Sequence, residues 1–241
     1  MSQLYLPFFD EIESCHSIKW HNFNKFINKN FIFTAENNAI YQKITLFFKN
    51  FIKNSNDQNL LILIGEAKSG KTHLLNFLSH HICTNMVNNI DYIDFSEVNY
   101  NNIKSFFAKN HLYIIENANH IDNQELLLHS INFTSEIGSK IIITAQFEPN
   151  FELPDLQSRI INAINLRISD LQYQSAQLIF ANEMSFCQLR INKLVVDFIA
   201  NIRKMNYQIL NDFIKLFKHF YQINSRLPKL RELEIIAKHY L

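Results

Sequence analysis

The sequence predicts an α/β core on a parallel sheet, followed by an all-helical C-terminal domain. Three observations carry this. Continuous apolar runs such as Leu60–Ile64 and Lys140–Thr144 are what a sheet covered on both faces requires. Longer segments of helical periodicity alternate with these runs, which means crossover connections between parallel strands. After Ser169-Asp170 the β signal stops.

In chain order, residues 1–22 show no periodicity and read as a flexible tail. Residues 23–168 form the core, with strands expected at Leu60–Ile64, Tyr92–Phe95, Leu112–Ile115, Lys140–Thr144 and Ala163–Ile168. Helices are expected at Ala39–Lys53, Lys71–Cys83, Asn101–Lys109 and Asn123–Ile137. Residues 169–241 read as four helices, about 170–186, 192–203, 206–222 and 228–240, with Pro228 in the first turn of the last.

Composition bounds the function. The 241 residues are 47% hydrophobic and 19% charged, too apolar for a disordered chain. With 3 glycines and 4 prolines, collagen-like and loop-dominated architectures are excluded. A net charge of +1 gives no bulk attraction to nucleic acid. Cys15, Cys83 and Cys187 are far apart and lack metal-ligand spacing, so buried thiols in a reducing compartment are expected. No signal peptide and no apolar run near the roughly 18 residues of a membrane span are seen, which places the chain in the cytoplasm. The sequon at Asn132-Phe133-Thr134 is then chance.

Two of the three glycines fall in Gly65-Glu66-Ala67-Lys68-Ser69-Gly70-Lys71-Thr72, a full G-x-x-x-x-G-K-[ST] pattern between a strand and a helix. Glycines there let backbone N–H groups turn inward around a phosphate, and the helix N-terminus adds about half a positive charge. Lys71 would reach the β- and γ-phosphates of ADP or ATP, and the Thr72 hydroxyl would hold Mg²⁺. Glu116 ends the strand at 112–115, where such proteins place an acid for Mg²⁺. Asn117 stands where hydrolysing relatives of the motif carry a second acid. A carboxamide cannot accept a proton, and a positioned general base is typically worth about 10² to 10⁴ in rate. Slow intrinsic hydrolysis is expected.

The phosphate loop, Glu116-Asn117, Ile143-Thr144-Ala145-Gln146 and Leu153-Pro154-Asp155-Leu156-Gln157-Ser158-Arg159 follow one another as in the AAA+ family of the bacterial replication initiator DnaA. The resemblance is closest to its short homologue Hda. It implies a five-stranded parallel sheet of order 5-1-4-3-2 with a helical lid over the nucleotide. It also implies that Arg159 is an arginine finger aimed at a neighbouring subunit. The sequence stops after the lid, without the initiator's DNA-reading helix-turn-helix, which favours the regulator. Gln3-Leu4-Tyr5-Leu6-Pro7-Phe8 resembles the peptide by which Hda-like proteins dock on the β sliding clamp, with Gln3, Leu4, Leu6, Pro7 and Phe8 as its anchors.

The resemblance places Thr144 in the sensor-1 region and Gln208 where a sensor-2 arginine is expected, with Arg203 or Lys204 as stand-ins one turn earlier. Phe31-Ile32-Phe33 shapes the adenine pocket or packs the core. The implied partners are the clamp, DnaA and, through the clamp, DNA, with homo-oligomers an option. From Arg190 to Leu241 ten Lys and Arg face four Asp and Glu: solvated helix faces, or a patch for DNA or an acidic partner. The alternative function is an AAA+ helicase loader or self-assembling ATPase acting on single-stranded DNA.

Overall fold

A computed structural model describes residues 34–53, 58–83, 89–118, 121–202 and 205–237. The core elements are α1 (Ala35–Ile52), β1 (Leu60–Ile64), α2 (Lys71–Cys83), β2 (Asn89–Ile93), α3 (Ile103–Phe106), β3 (His111–Ile115), α4 (Gln124–Glu136), β4 (Lys140–Ala145), α5 (Pro154–Ile161) and β5 (Ile164–Arg167). The C-terminal helices are α6 (Tyr173–Phe186), α7 (Lys193–Ala200), α8 (Tyr207–Asn224) and α9 (Leu230–Ala237).

All five strands pair in parallel in the order β2-β3-β4-β1-β5, the expected arrangement read from the other edge. β1 lies between β4 and β5, and all five of its residues are buried. Alternation sends Ile62 and Ile64 to one face, where they pack with Ile141, Ile143, Leu127 and Leu156. Leu61 and Leu63 go to the other face, against Phe47 and Phe48 of α1 and Leu75 and Leu78 of α2. Each such side chain contributes about 1.5–3 kcal/mol by leaving water. The lid has a separate core in which Phe180 and Phe217 meet edge to face at 5.1 Å.

Four elements differ from the sequence expectation. β2 runs over Asn89–Ile93 rather than Tyr92–Phe95, because Asp94 leaves the ladder. Its carboxylate accepts from Ser96 N (3.0 Å) and Ser96 Oγ (2.7 Å), starting a 3₁₀ turn. The helix expected at Asn101–Lys109 shrinks to α3. Asn99 Oδ1 accepts from Asn101 N (3.0 Å) and Asn102 N (3.1 Å), a local turn that competes with helix. α1 starts at Ala35, four residues early, where the Thr34 N–H donates to Asn37 Oδ1 at 2.9 Å. Pro228 precedes α9 rather than sitting in its first turn.

Candidate functional site: a phosphate cradle under a helical lid

β1 delivers the chain into the loop at 65–70, and α2 carries it back down. Gly65 N donates to Ala145 O at 3.1 Å, fixing the loop entrance to β4. A Cβ on Gly65 would stand 2.7 Å from Ser69 Oγ and 3.2 Å from Ile168 Cβ, so a side chain there would displace the Ser69 hydroxyl and crowd Ile168. Gly70 has φ +91°, a conformation glycine adopts without strain. Leu74 N reaches back to Gly70 O at 2.9 Å, so α2 opens with its first N–H groups free of helical acceptors.

Lys71 is buried, and its ammonium donates to Gly65 O (2.6 Å) and Glu66 O (2.9 Å), across the cradle. Burial pushes its pKa below the ordinary lysine value, and the nearby Glu116 carboxylate opposes that shift. The buried Ser69 Oγ has no hydrogen-bond partner among the described residues. Beside them, Thr72 Oγ1 donates to Glu116 Oε1 at 2.6 Å. Asn117 sits at φ 58°, in the left-handed region that asparagine tolerates, and its N–H donates to Thr144 Oγ1 at 3.2 Å.

Above the cradle is a cleft of about 480 Å³, walled by residues 67–74, Glu116, Asn117 and Thr144 and roofed by α6 and α8 of the lid. Ile179, Leu210 and Ile214 give the roof an apolar surface. Gln208 lines the cleft, but its Nε2 donates to both Asp212 carboxylate oxygens, at 2.9 and 3.0 Å. The position where the resemblance expects a cation is therefore neutral, with its donors committed within α8.

The expected residues 67–72, 116, 117, 144 and 208 thus line one cleft, with Gly65 and Glu66 beside it, their carbonyls accepting from Lys71. Arg159 does not line it. It is exposed on α5, with no hydrogen bond or ion pair among the described residues. Gln3, Leu4, Leu6, Pro7, Phe8, Phe31–Phe33, Arg203 and Lys204 lie outside the described residues.

Asn37 and Tyr207 are among the lining residues that the sequence did not single out. Asn37 reaches the cleft from the first turn of α1, and the Thr34-x-x-Asn37 spacing was its signal. Tyr207 lays its ring over Gly70, 3.7 Å from where a Cβ would be, and nothing in the local sequence marked it.

The donor set fits a nucleotide polyphosphate: a glycine-bounded loop opening a helix, a buried ammonium, and a buried hydroxyl with no hydrogen-bond partner among the described residues. Thr72 and Glu116 would supply hard oxygen ligands if Mg²⁺ were bound there. No group of three or more His, Cys, Asp or Glu suited to a metal occurs among the described residues, so the cation would depend on phosphate oxygens as well.

Similarity to solved structures decides the fold. Domain III of the Thermotoga maritima replication initiation protein DnaA superposes with a TM-score of 0.70 at 18% identity, covering 87% of this chain and 94% of that one. The fold is AAA+. A replication initiator DnaA bound to AMPPCP and single-stranded DNA gives 0.64 at 20% identity, over 84% of this chain and 69% of that one. The Thermotoga maritima RuvB Holliday junction branch migration motor gives 0.63 at 17%, over 82% and 69%. No protein-family model matches the sequence, and no curated protein does. Identities this low establish the AAA+ architecture and leave function to the site. No described helix is long and apolar enough to cross a membrane.

Proposed function

We propose that the chain is an Hda-like regulator of replication initiation. It binds ADP or ATP with Mg²⁺ in the cleft, docks on the β sliding clamp through residues 3–8, and activates ATP hydrolysis by DnaA through Arg159. The observation that carries the reading is the placement of Arg159. An always-charged guanidinium is held on a short helix, outside its own cleft and without a neutralising partner among the described residues. A planar cation so presented suits a neighbour's phosphoryl group, where an arginine finger in trans is worth roughly 10³ to 10⁵ in rate.

The chain's own cleft supports a nucleotide held as a structural ligand. Asn117 offers no general base, and Gln208 offers no charge for a terminal phosphate. When bound, the nucleotide supplies a polyanion that the Lys71 ammonium and the α2 N-terminus neutralise. Tyr207 and Gln208 bring the lid into that contact, so bound ligand would tie lid to core. The similarity to DnaA bound to AMPPCP and single-stranded DNA is consistent with this nucleotide reading.

The experiment is ATP hydrolysis by DnaA measured with clamp, DNA and this protein, omitting each in turn. Loss of stimulation on each omission supports the regulator. Robust turnover by this protein alone supports instead the loader or self-assembling ATPase acting on single-stranded DNA.

A further inference from the structure

Behind the cleft, α2 carries a polar stripe on an otherwise apolar face. Thr72, Asn76 and Ser79 are spaced four and three residues apart and so share one side of the helix. Each end of the stripe meets the sheet at a polar group. Thr72 donates to Glu116, and the Ser79 hydroxyl faces the Tyr92 phenol, whose oxygen is buried. Tyr92 pairs with Ile114 across the β2–β3 ladder. Glu116 lies two residues beyond Ile114, on the same face of the sheet. Asn76 therefore sits between these two contacts.

Asn76 is 3% exposed, and neither its Oδ1 nor its Nδ2 has a hydrogen-bond partner among the described residues. A buried primary amide with no partner at either end is rare, and water is its usual explanation. A water site needs two to four polar neighbours, which this seam supplies in Asn76, Ser79, Tyr92 and the inner side of Glu116.

We propose that the seam between α2 and β2–β3 is a binding site for ordered water, and that Asn76 is a positioning residue for Glu116. The amide Nδ2 donates to the water and Oδ1 accepts from it, while the water's second hydrogen goes to the Glu116 carboxylate and its second lone pair accepts from the Ser79 or the Tyr92 hydroxyl. Glu116 is thereby held from behind by the seam and from in front by Thr72. Outer contacts of this kind set how well a ligand carboxylate meets its metal. The positioning role rests on the nucleotide and Mg²⁺ reading of the cleft; the water site does not.

The test is a crystal structure of the full chain at a resolution that shows ordered water, together with Asn76→Leu and Asn76→Ser. Density within hydrogen-bonding distance of both Asn76 amide atoms is expected; a dry seam overturns the site. Asn76→Leu, close in volume but apolar, is expected to lower Tm and to remove about tenfold of the Mg²⁺-dependent gain in ADP affinity. ADP affinity without Mg²⁺ should be unchanged, and Asn76→Ser, which leaves room for water, should restore the Mg²⁺ response. A raised Tm in Asn76→Leu means a dry, frustrated amide and overturns the site. A hydrated seam with an unaltered Mg²⁺ response overturns the positioning role alone. If ADP fails to bind the unsubstituted protein, the nucleotide reading falls, while the density and Tm still decide the water.

Discussion

Thr72 and Glu116, 44 residues apart in sequence, are joined by a 2.6 Å hydrogen bond from hydroxyl to carboxylate at the mouth of the cleft. The bond ties the first turn of α2 to the end of β3. It brings together the two side chains expected to share a magnesium ion.

Thr72→Val keeps the shape and removes the donor. A hydrogen bond to a charged group is worth about 1.5–3 kcal/mol, so the Mg²⁺-dependent part of nucleotide affinity should fall roughly 10- to 100-fold. Calorimetric titration with and without Mg²⁺ measures it. Equal losses in both conditions would mean that Thr72 acts on the cradle rather than the metal.

The lid carries an acid-sensitive lock. Arg226 reaches both Glu232 oxygens, at 2.9 and 2.8 Å, and Lys229 N donates to the same carboxylate at 2.7 Å. The guanidinium, then the backbone N–H, hold Glu232 down from its ordinary 4.5 to about 2. Because the folded carboxylate resists protonation, the unfolded state binds more protons between these values. The stabilisation is complete above about pH 4.5 and is lost as pH falls toward about 2. Glu232→Gln should flatten the dependence of Tm on pH in that window, and an unchanged slope would assign it to other carboxylates.

Removal of residues 1–8 should abolish capture by immobilised sliding clamp while leaving ADP affinity and Tm where they were. Retention on the clamp would move the docking site into the folded body.

Asn117→Asp tests why the cleft should turn nucleotide over slowly. Aspartate tolerates the left-handed backbone at φ 58°, so the fold should hold. A carboxylate that can take a proton should raise the chain's own ATPase by about tenfold or more. No rise would place the defect at Gln208 or elsewhere in the cleft.

What the sequence disclosed follows from how local each signal is. β1, the apolar run ahead of the phosphate loop, needs no partner to be recognised, and its ends at Leu60 and Ile64 match the structure. β2 is an edge strand whose start, Asn89, is polar; only the register Asn89↔His111 with β3 defines it. That pairing is non-local and cannot be read from a window of residues. The same division holds in the cleft. Residues 65–72 form a contiguous motif and announced themselves. Tyr207 reaches Gly70 through the packing of the lid on the core, and Asn76 is conspicuous only because burial leaves its amide unpaired among the described residues. Gln208 was legible as a missing charge, but its engagement by Asp212 was not.

Arg159 carries the proposed regulator activity most directly. ATP hydrolysis by DnaA should be measured with clamp and DNA in the presence of either the unsubstituted protein or Arg159→Ala. Because Arg159 is exposed and unpaired among the described residues, the variant should keep its Tm, its ADP affinity and its hold on the clamp. Stimulation should drop by about 10³-fold, to the level without this protein. Full stimulation by Arg159→Ala would contradict the assignment.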